Sequence, residues 1–183
     1  LRENAFNLDG SGYAEVADND SLDATSAITL ELWVKFSDFD ASYNLVLKKV
    51  GWNGIGYGLY RNTNGSLYFE AANASDYLQV SSGIVLPNSD LGDWVHIAVV
   101  CDQTATTYLK FYRNSNLMIT ESPSTLIGDI GTNTLPLLLG SGSGGSNTGA
   151  SFTGILDEPR IYNRALTSKE ITNNYKFGLR THS

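Results

Sequence analysis

The segment Ile28-Thr29-Leu30-Glu31-Leu32-Trp33-Val34-Lys35-Phe36 constrains the fold more than any other stretch of the chain. Successive side chains of an extended strand point to opposite faces. Ile28, Leu30, Leu32, Val34 and Phe36 therefore share one face, and Thr29, Glu31, Trp33 and Lys35 share the other. The first set demands a core, so a second layer must lie against it. The second set leaves a tryptophan beside two charges on a face that is not the core.

Similar runs recur at residues 4–8, 13–16, 45–49, 57–61, 67–71, 77–81, 95–101, 108–113, 135–140 and 152–162. They are separated by turn signals such as Asp9-Gly10-Ser11-Gly12 and Asn62-Thr63-Asn64-Gly65. After the last run, Thr167-Ser168-Lys169-Glu170 has the reciprocal pattern of a capping box and opens a short helix. Aromatic residues make up 11% of the 183 residues, as in a chain of many short strands. The expectation is an all-β, antiparallel two-sheet jelly-roll sandwich with one short C-terminal helix, a single domain over 1–183.

The formal net charge of −7 argues against nucleic acid, which needs a basic surface, and against an anionic membrane. Cys101 is the lone cysteine, so no internal disulfide exists; its phase with Val95, Ile97 and Val99 makes it a buried hydrophobe. No run of apolar residues is long enough to span a bilayer as a helix.

Five segments in order carry a family resemblance: Phe6-Asn7-Leu8-Asp9-Gly10 with Tyr13, Ile28 through Lys35, Trp94-Val95-His96-Ile97-Ala98-Val99, Leu109-Lys110-Phe111-Tyr112 with Asn114, and Phe152-Thr153-Gly154-Ile155-Leu156-Asp157-Glu158 leading into Arg160-Ile161-Tyr162-Asn163-Arg164-Ala165-Leu166. Together they resemble LamG-like jelly-roll modules of the concanavalin A-like lectin/glucanase superfamily. The resemblance implies a concave sheet, recognition of glycans or protein surfaces, and a structural calcium ion. By the same resemblance, Asp9 of the opening turn and Asp157 of the closing motif are the expected metal ligands. Two departures stand out. Pro159 replaces an aliphatic residue and should mark an edge or a bulge, and Asn114-Ser115-Asn116 lacks the usual Asn-Gly of the hairpin.

A glycosidase needs two carboxylates opposed across a sugar. The closely alternating acids of the hydrolase relatives are missing, since Asp157 and Glu158 are strand neighbours that point to opposite faces. Sugar binding instead needs an exposed ring and planar polar groups. Trp52, between Gly51 and Asn53-Gly54, is a bulky ring in a loop, with Asn53, Tyr57 and Arg61 nearby in sequence. Trp33 with Glu31 either floors a concave cleft or is a structural residue under a loop. The reading is a non-catalytic carbohydrate-binding, lectin-like module with calcium, extracellular or at the cell surface, linked to other domains of a larger polypeptide and partnered by a glycan or polysaccharide. The alternative is an adhesion or spacer module that binds a protein surface, with a glycan-cleaving enzyme third.

Overall fold

The structure is a computed structural model, and it describes residues 5–39, 43–48, 54–84, 86–104, 109–122, 127–141 and 152–182. Among the described residues, twelve strands run in the order β1 (Phe6–Asp9), β2 (Ala14–Val16), β3 (Ala27–Phe36), β4 (Tyr43–Lys48), β5 (Gly56–Arg61), β6 (Ser66–Ala72), β7 (Tyr77–Ile84), β8 (Trp94–Asp102), β9 (Leu109–Arg113), β10 (Asn116–Glu121), β11 (Leu137–Leu139) and β12 (Thr153–Tyr162), followed by helix α1 (Ser168–His182). They form two six-stranded sheets. Sheet A has the order β1-β12-β3-β8-β9-β10, and sheet B has β2-β11-β4-β5-β6-β7. Every recorded pairing is antiparallel. The expected all-β, two-sheet sandwich with a terminal helix is the fold observed.

The core lies between the sheets. Ile28, Leu30, Leu32, Val34 and Phe36 of β3 are fully buried there, with Leu59, Phe69, Ile97, Val99 and Phe111. Cys101 joins the same cluster, and burial pushes its thiol up to about 12. Asn114 and Ser115 both take positive φ (50° and 63°) between paired Arg113 and Asn116. That is the mirror-image two-residue turn, reached without glycine because asparagine tolerates the left-handed region. Pro159 sits in a bulge between Asp157 and Arg160, where Glu158 has φ 49°. The β1 ladder reaches only Leu156, so the N–H that proline lacks has no β1 partner to miss.

Helix α1 is longer than the sequence suggests, running fifteen residues to His182. Its start is a capping box: Glu170 N–H donates to Thr167 Oγ1 (3.3 Å) and Thr167 N–H donates to Glu170 Oε2 (2.8 Å). Ile171 packs with Ala98, Val100, Tyr112 and Leu166 on the outer face of sheet A. The linker is pinned through Thr29, whose Oγ1 donates to Arg164 O (2.8 Å) and accepts from Leu166 N–H (3.0 Å). The last turn is held by stacking of His182 on Trp33, with centroids 4.3 Å apart and planes at 7°.

Gly178 makes that approach possible. A Cβ added there would lie 2.7 Å from Trp33 Cε2 and closer still to Nε1. Gly178→Ala should therefore lower stability by about 1–3 kcal/mol through overpacking, despite a gain of about 1 kcal/mol in helix propensity. Urea unfolding of the two proteins measures the sign; a more stable variant would show that the helix does not press on Trp33.

Candidate functional site

Trp33 and Glu31, expected to line an open face, are 2% and 1% exposed because α1 covers them. Trp33 is stacked by His182 on one ring and lies 5.5 Å from Tyr175, at 16°. Glu31 Oε2 accepts from Asn174 Nδ2 (2.7 Å), while its Oε1 stands 3.8 Å from His96 Nε2, beyond hydrogen-bond reach. The covering is done by a helix, where sequence reasoning had considered a loop. Both residues are part of the scaffold and cannot touch a ligand in this arrangement.

Tyr57 and Arg61 are likewise turned inward, at 1% and 0% exposure. Strand parity explains it: with Leu59 they occupy the core side of β5, since Leu59 is a core residue and alternate positions share a face. Tyr57 Oη donates to Leu22 O (2.8 Å). The Arg61 guanidinium lies 3.7 Å from the Phe39 ring centroid, a cation–π contact inside the sandwich. Trp52 and Asn53, the remaining expected ligand contacts, lie outside the described residues.

Asp9 and Asp157 do not converge either. Asp9 pairs with Thr153, four positions before Asp157 on the same strand, a separation of about 13 Å along an extended backbone. Asp9 is used locally, accepting from Ser11 N–H (2.9 Å) and Ser11 Oγ (2.6 Å), bonds that hold its carboxyl below the usual range. Asp157 is buried. Its Oδ1 accepts from Glu158 N–H (2.8 Å), and its Oδ2 lies 3.0 Å from His182 Nε2. Asp157, Glu158 and His182 do offer ligand atoms within 4.8 Å of one another. Glu158 nevertheless pairs with Arg160 (2.9 Å), and His182 Nδ1 donates to Gly178 O (2.7 Å).

The open face lies on the other sheet and was missed in the sequence. Inward residues Leu59, Leu67, Phe69 and Ala71 alternate with outward Tyr60, Tyr68 and Glu70, and β7 adds Tyr77 and Gln79 through the pairs Ala72–Tyr77 and Glu70–Gln79. Tyr60 and Tyr68 are directly opposed and stack, with centroids 5.0 Å apart and planes at 10°. Gln79 Nε2 donates to Tyr60 Oη (3.0 Å) and to Glu70 Oε1 (2.6 Å), which also accepts from Tyr77 Oη (2.8 Å). Burial and the Glu70 charge push the Tyr60 and Tyr77 phenols up, so both remain protonated through the neutral range. The three tyrosines and Gln79 are half-buried, a platform of rings whose polar edges are pre-oriented by one carboxylate. The parity of the hairpin around Asn62-Thr63-Asn64-Gly65 was the signal available in the sequence.

The acids at described outward strand positions of this sheet stand far apart. Outward Glu15 and Glu70 lie in one row across four strand steps, Glu15–Leu138–Leu47–Gly58–Glu70. At about 4.8 Å per step they are about 19 Å apart, twice the span that glycoside hydrolysis uses.

Burial leaves the Glu31–His96 pair under α1 averse to charge. Glu31 is pushed up from 4.5 to about 7, and His96 is pushed down from 6.5 to about 3. For Glu31 the fold prefers the protonated acid, so its contribution is complete below pH 4.5 and is lost as pH rises through about 7. His96 opposes it, contributing above pH 6.5 and losing that as pH falls toward about 3. Glu31→Gln removes the first dependence. The variant should exceed the parent in stability at pH 8 by on the order of 3 kcal/mol, with the gap closing toward pH 4.5. Urea midpoints across pH read this directly, and a pH-independent gap would contradict it.

Several known structures share this fold. The Ruminococcus gnavus IT-sialidase CBM40 bound to α2,3-sialyllactose superposes with a TM-score of 0.74 at 17% identity, over 96% of this chain and 98% of that one. Domain 4 of AbnA, a GH43 extracellular arabinanase from Geobacillus stearothermophilus in complex with arabinotriose, gives 0.66 at 20% identity, over 92% and 75%. The botulinum neurotoxin serotype D ligand binding domain in complex with N-acetylneuraminic acid gives 0.70 at 12% identity, over 96% of this chain and 44% of that one. No curated protein matches the chain in sequence. Among the described residues no helix is long and apolar enough to cross a membrane. Residues 8–172 match the Laminin_G_3 family, and the chain thus belongs to that family of the concanavalin A-like lectin/glucanases superfamily.

Proposed function

We propose that this domain is a non-catalytic glycan-binding module, extracellular or at the cell surface, that engages a sugar chain with the outward face of β5, β6 and β7. The observation that carries the reading is the Tyr60–Tyr68 stack wired to Tyr77, Gln79 and Glu70. Sugar rings offer apolar C–H faces rimmed by hydroxyls, and tyrosine offers an apolar face with a polar tip. Because α1 occupies the outer face of sheet A, sheet B presents the large surface left for a ligand. The sugar complexes among the structural neighbours support the same class of ligand.

Calcium does not fit the residues expected to hold it. The ion takes six to eight oxygens around one point, whereas Asp9 and Asp157 sit four strand positions apart and Asp157 faces an imidazole. Glycan recognition in this reading uses side chains alone. A chelator should accordingly leave the melting temperature and the sugar affinity of the domain unchanged, as scanning calorimetry and titration in excess EDTA would report.

Affinity electrophoresis against a polysaccharide panel tests the reading itself. Retention is expected on at least one polysaccharide. Tyr60→Ala and Tyr68→Ala should each weaken binding at least tenfold, about 1.4 kcal/mol, without a matching loss of stability. Binding indifferent to both substitutions would place the sugar elsewhere.

A further inference from the structure

Building on that glycan-binding reading, we infer that the sugar recognised at the tyrosine face is uncharged, and that the face discriminates against acidic sugars. The hydrogen bonds set the polarity of the surface. Gln79 commits the two hydrogens of Nε2 to Tyr60 Oη (3.0 Å) and Glu70 Oε1 (2.6 Å), which turns its own carbonyl oxygen to the far side of the amide as an acceptor. Tyr60 accepts in the first of these bonds, and its phenolic hydrogen is engaged by the Glu70 carboxylate, so the face turns oxygen acceptors toward a ligand. A sugar hydroxyl, which can donate, satisfies such acceptors. A sugar carboxylate only accepts, and a carbonyl oxygen gives it nothing.

The charges agree. No outward register position of β5, β6 or β7 carries lysine or arginine, and the arginine that β5 does contain, Arg61, is turned into the core at 0% exposure. Recognition of a carboxylate ordinarily enlists such a side chain, best in two-pronged geometry. Here the carboxylate beside the tyrosines, Glu70, is buried at 2% exposure, in a protein whose formal net charge is −7. The long-range field therefore opposes an anion. The R. gnavus domain was seen with an acidic sugar, sialyllactose, and its 17% identity carries over the fold without the ligand.

Matched pairs decide the matter: lactose against 3′-sialyllactose by titration calorimetry, and galactan against polygalacturonate by affinity electrophoresis, with Tyr68→Ala as the control for the face. The neutral member of a pair should bind, and its acidic counterpart at least tenfold more weakly. Raising salt from 50 to 500 mM should narrow that gap, since the opposition is electrostatic. Glu70→Gln keeps an acceptor for Tyr77 and Gln79 and should narrow it too; the salt series needs no substitution and stands if that variant misfolds. Equal or tighter binding of the acidic member, abolished by Tyr68→Ala, overturns the charge class and leaves glycan binding at this face intact. Absence of binding by every probe, or binding unaffected by Tyr68→Ala, overturns the underlying reading together with this inference.

Discussion

Trp33 under helix α1 is the contact on which the rest of the architecture depends. The indole sits mid-strand in β3, paired on either side with Asp157 of β12 and His96 of β8. One ring face receives His182, and Tyr175 lies near parallel to the same indole. Burying an aromatic surface of this size removes about 150–250 Å² from water, which at about 25 cal/mol per Å² favours the docked helix by roughly 5 kcal/mol. The amphipathic face of α1 has no other sheet to meet, and Gly178 is where a side chain would hold it off. Trp94 closes the cluster edge-on against His182, with centroids 4.6 Å apart.

That docking divides the molecule into a sealed side and an available side. Sheet A is apolar inward, and α1 covers the outer face of its central strands, which is why Thr29, Glu31 and His96 are buried polar groups on what would otherwise be a wet surface. Thr29 answers its burial with two backbone partners, and Glu31 with Asn174. His96 answers by staying neutral. On sheet B, Tyr60, Tyr68, Tyr77 and Gln79 are half-buried around a buried Glu70 (2% exposed), to which Tyr77 and Gln79 donate. A surface built this way is pre-organised, so little rotamer entropy is left to lose should a ligand bind it.

Much of the fold was legible because it rests on period and turn chemistry. The β3 alternation, the in-phase burial of Cys101, the bulge at Pro159 and the capping box at Thr167 and Glu170 all follow from local rules, and all are present. The site was less legible, for two physical reasons. Whether the polar face of β3 meets water depends on where a helix some 140 residues later lands, and no local pattern encodes that. The choice among Tyr57, Tyr60 and Arg61 depends on parity: proximity in sequence favoured Tyr57 and Arg61, whereas alternation against Leu59 turns both inward and leaves Tyr60 outward. The acids of the opening turn and closing motif failed as a pair on register, since adjacent strands do not bring distant positions together unless the ladder aligns them.

Parity also explains how one sandwich serves ligands of different chemistry. On β5 and β6 the inward positions Tyr57, Leu59, Leu67, Phe69 and Ala71 carry the packing, and each is within 1% of complete burial. Changing them costs stability through cavities or clashes. The outward positions between them, Tyr60, Tyr68 and Glu70, touch one another and Gln79 but contribute nothing to the seam between the sheets. A substitution there alters the charge and hydrogen-bond polarity of the face while the core stays as it was. Structural likeness at 12–20% identity is then what the core preserves. Under the proposed reading, ligand choice is written on the alternate residues Tyr60, Tyr68, Glu70, Tyr77 and Gln79 rather than in the fold.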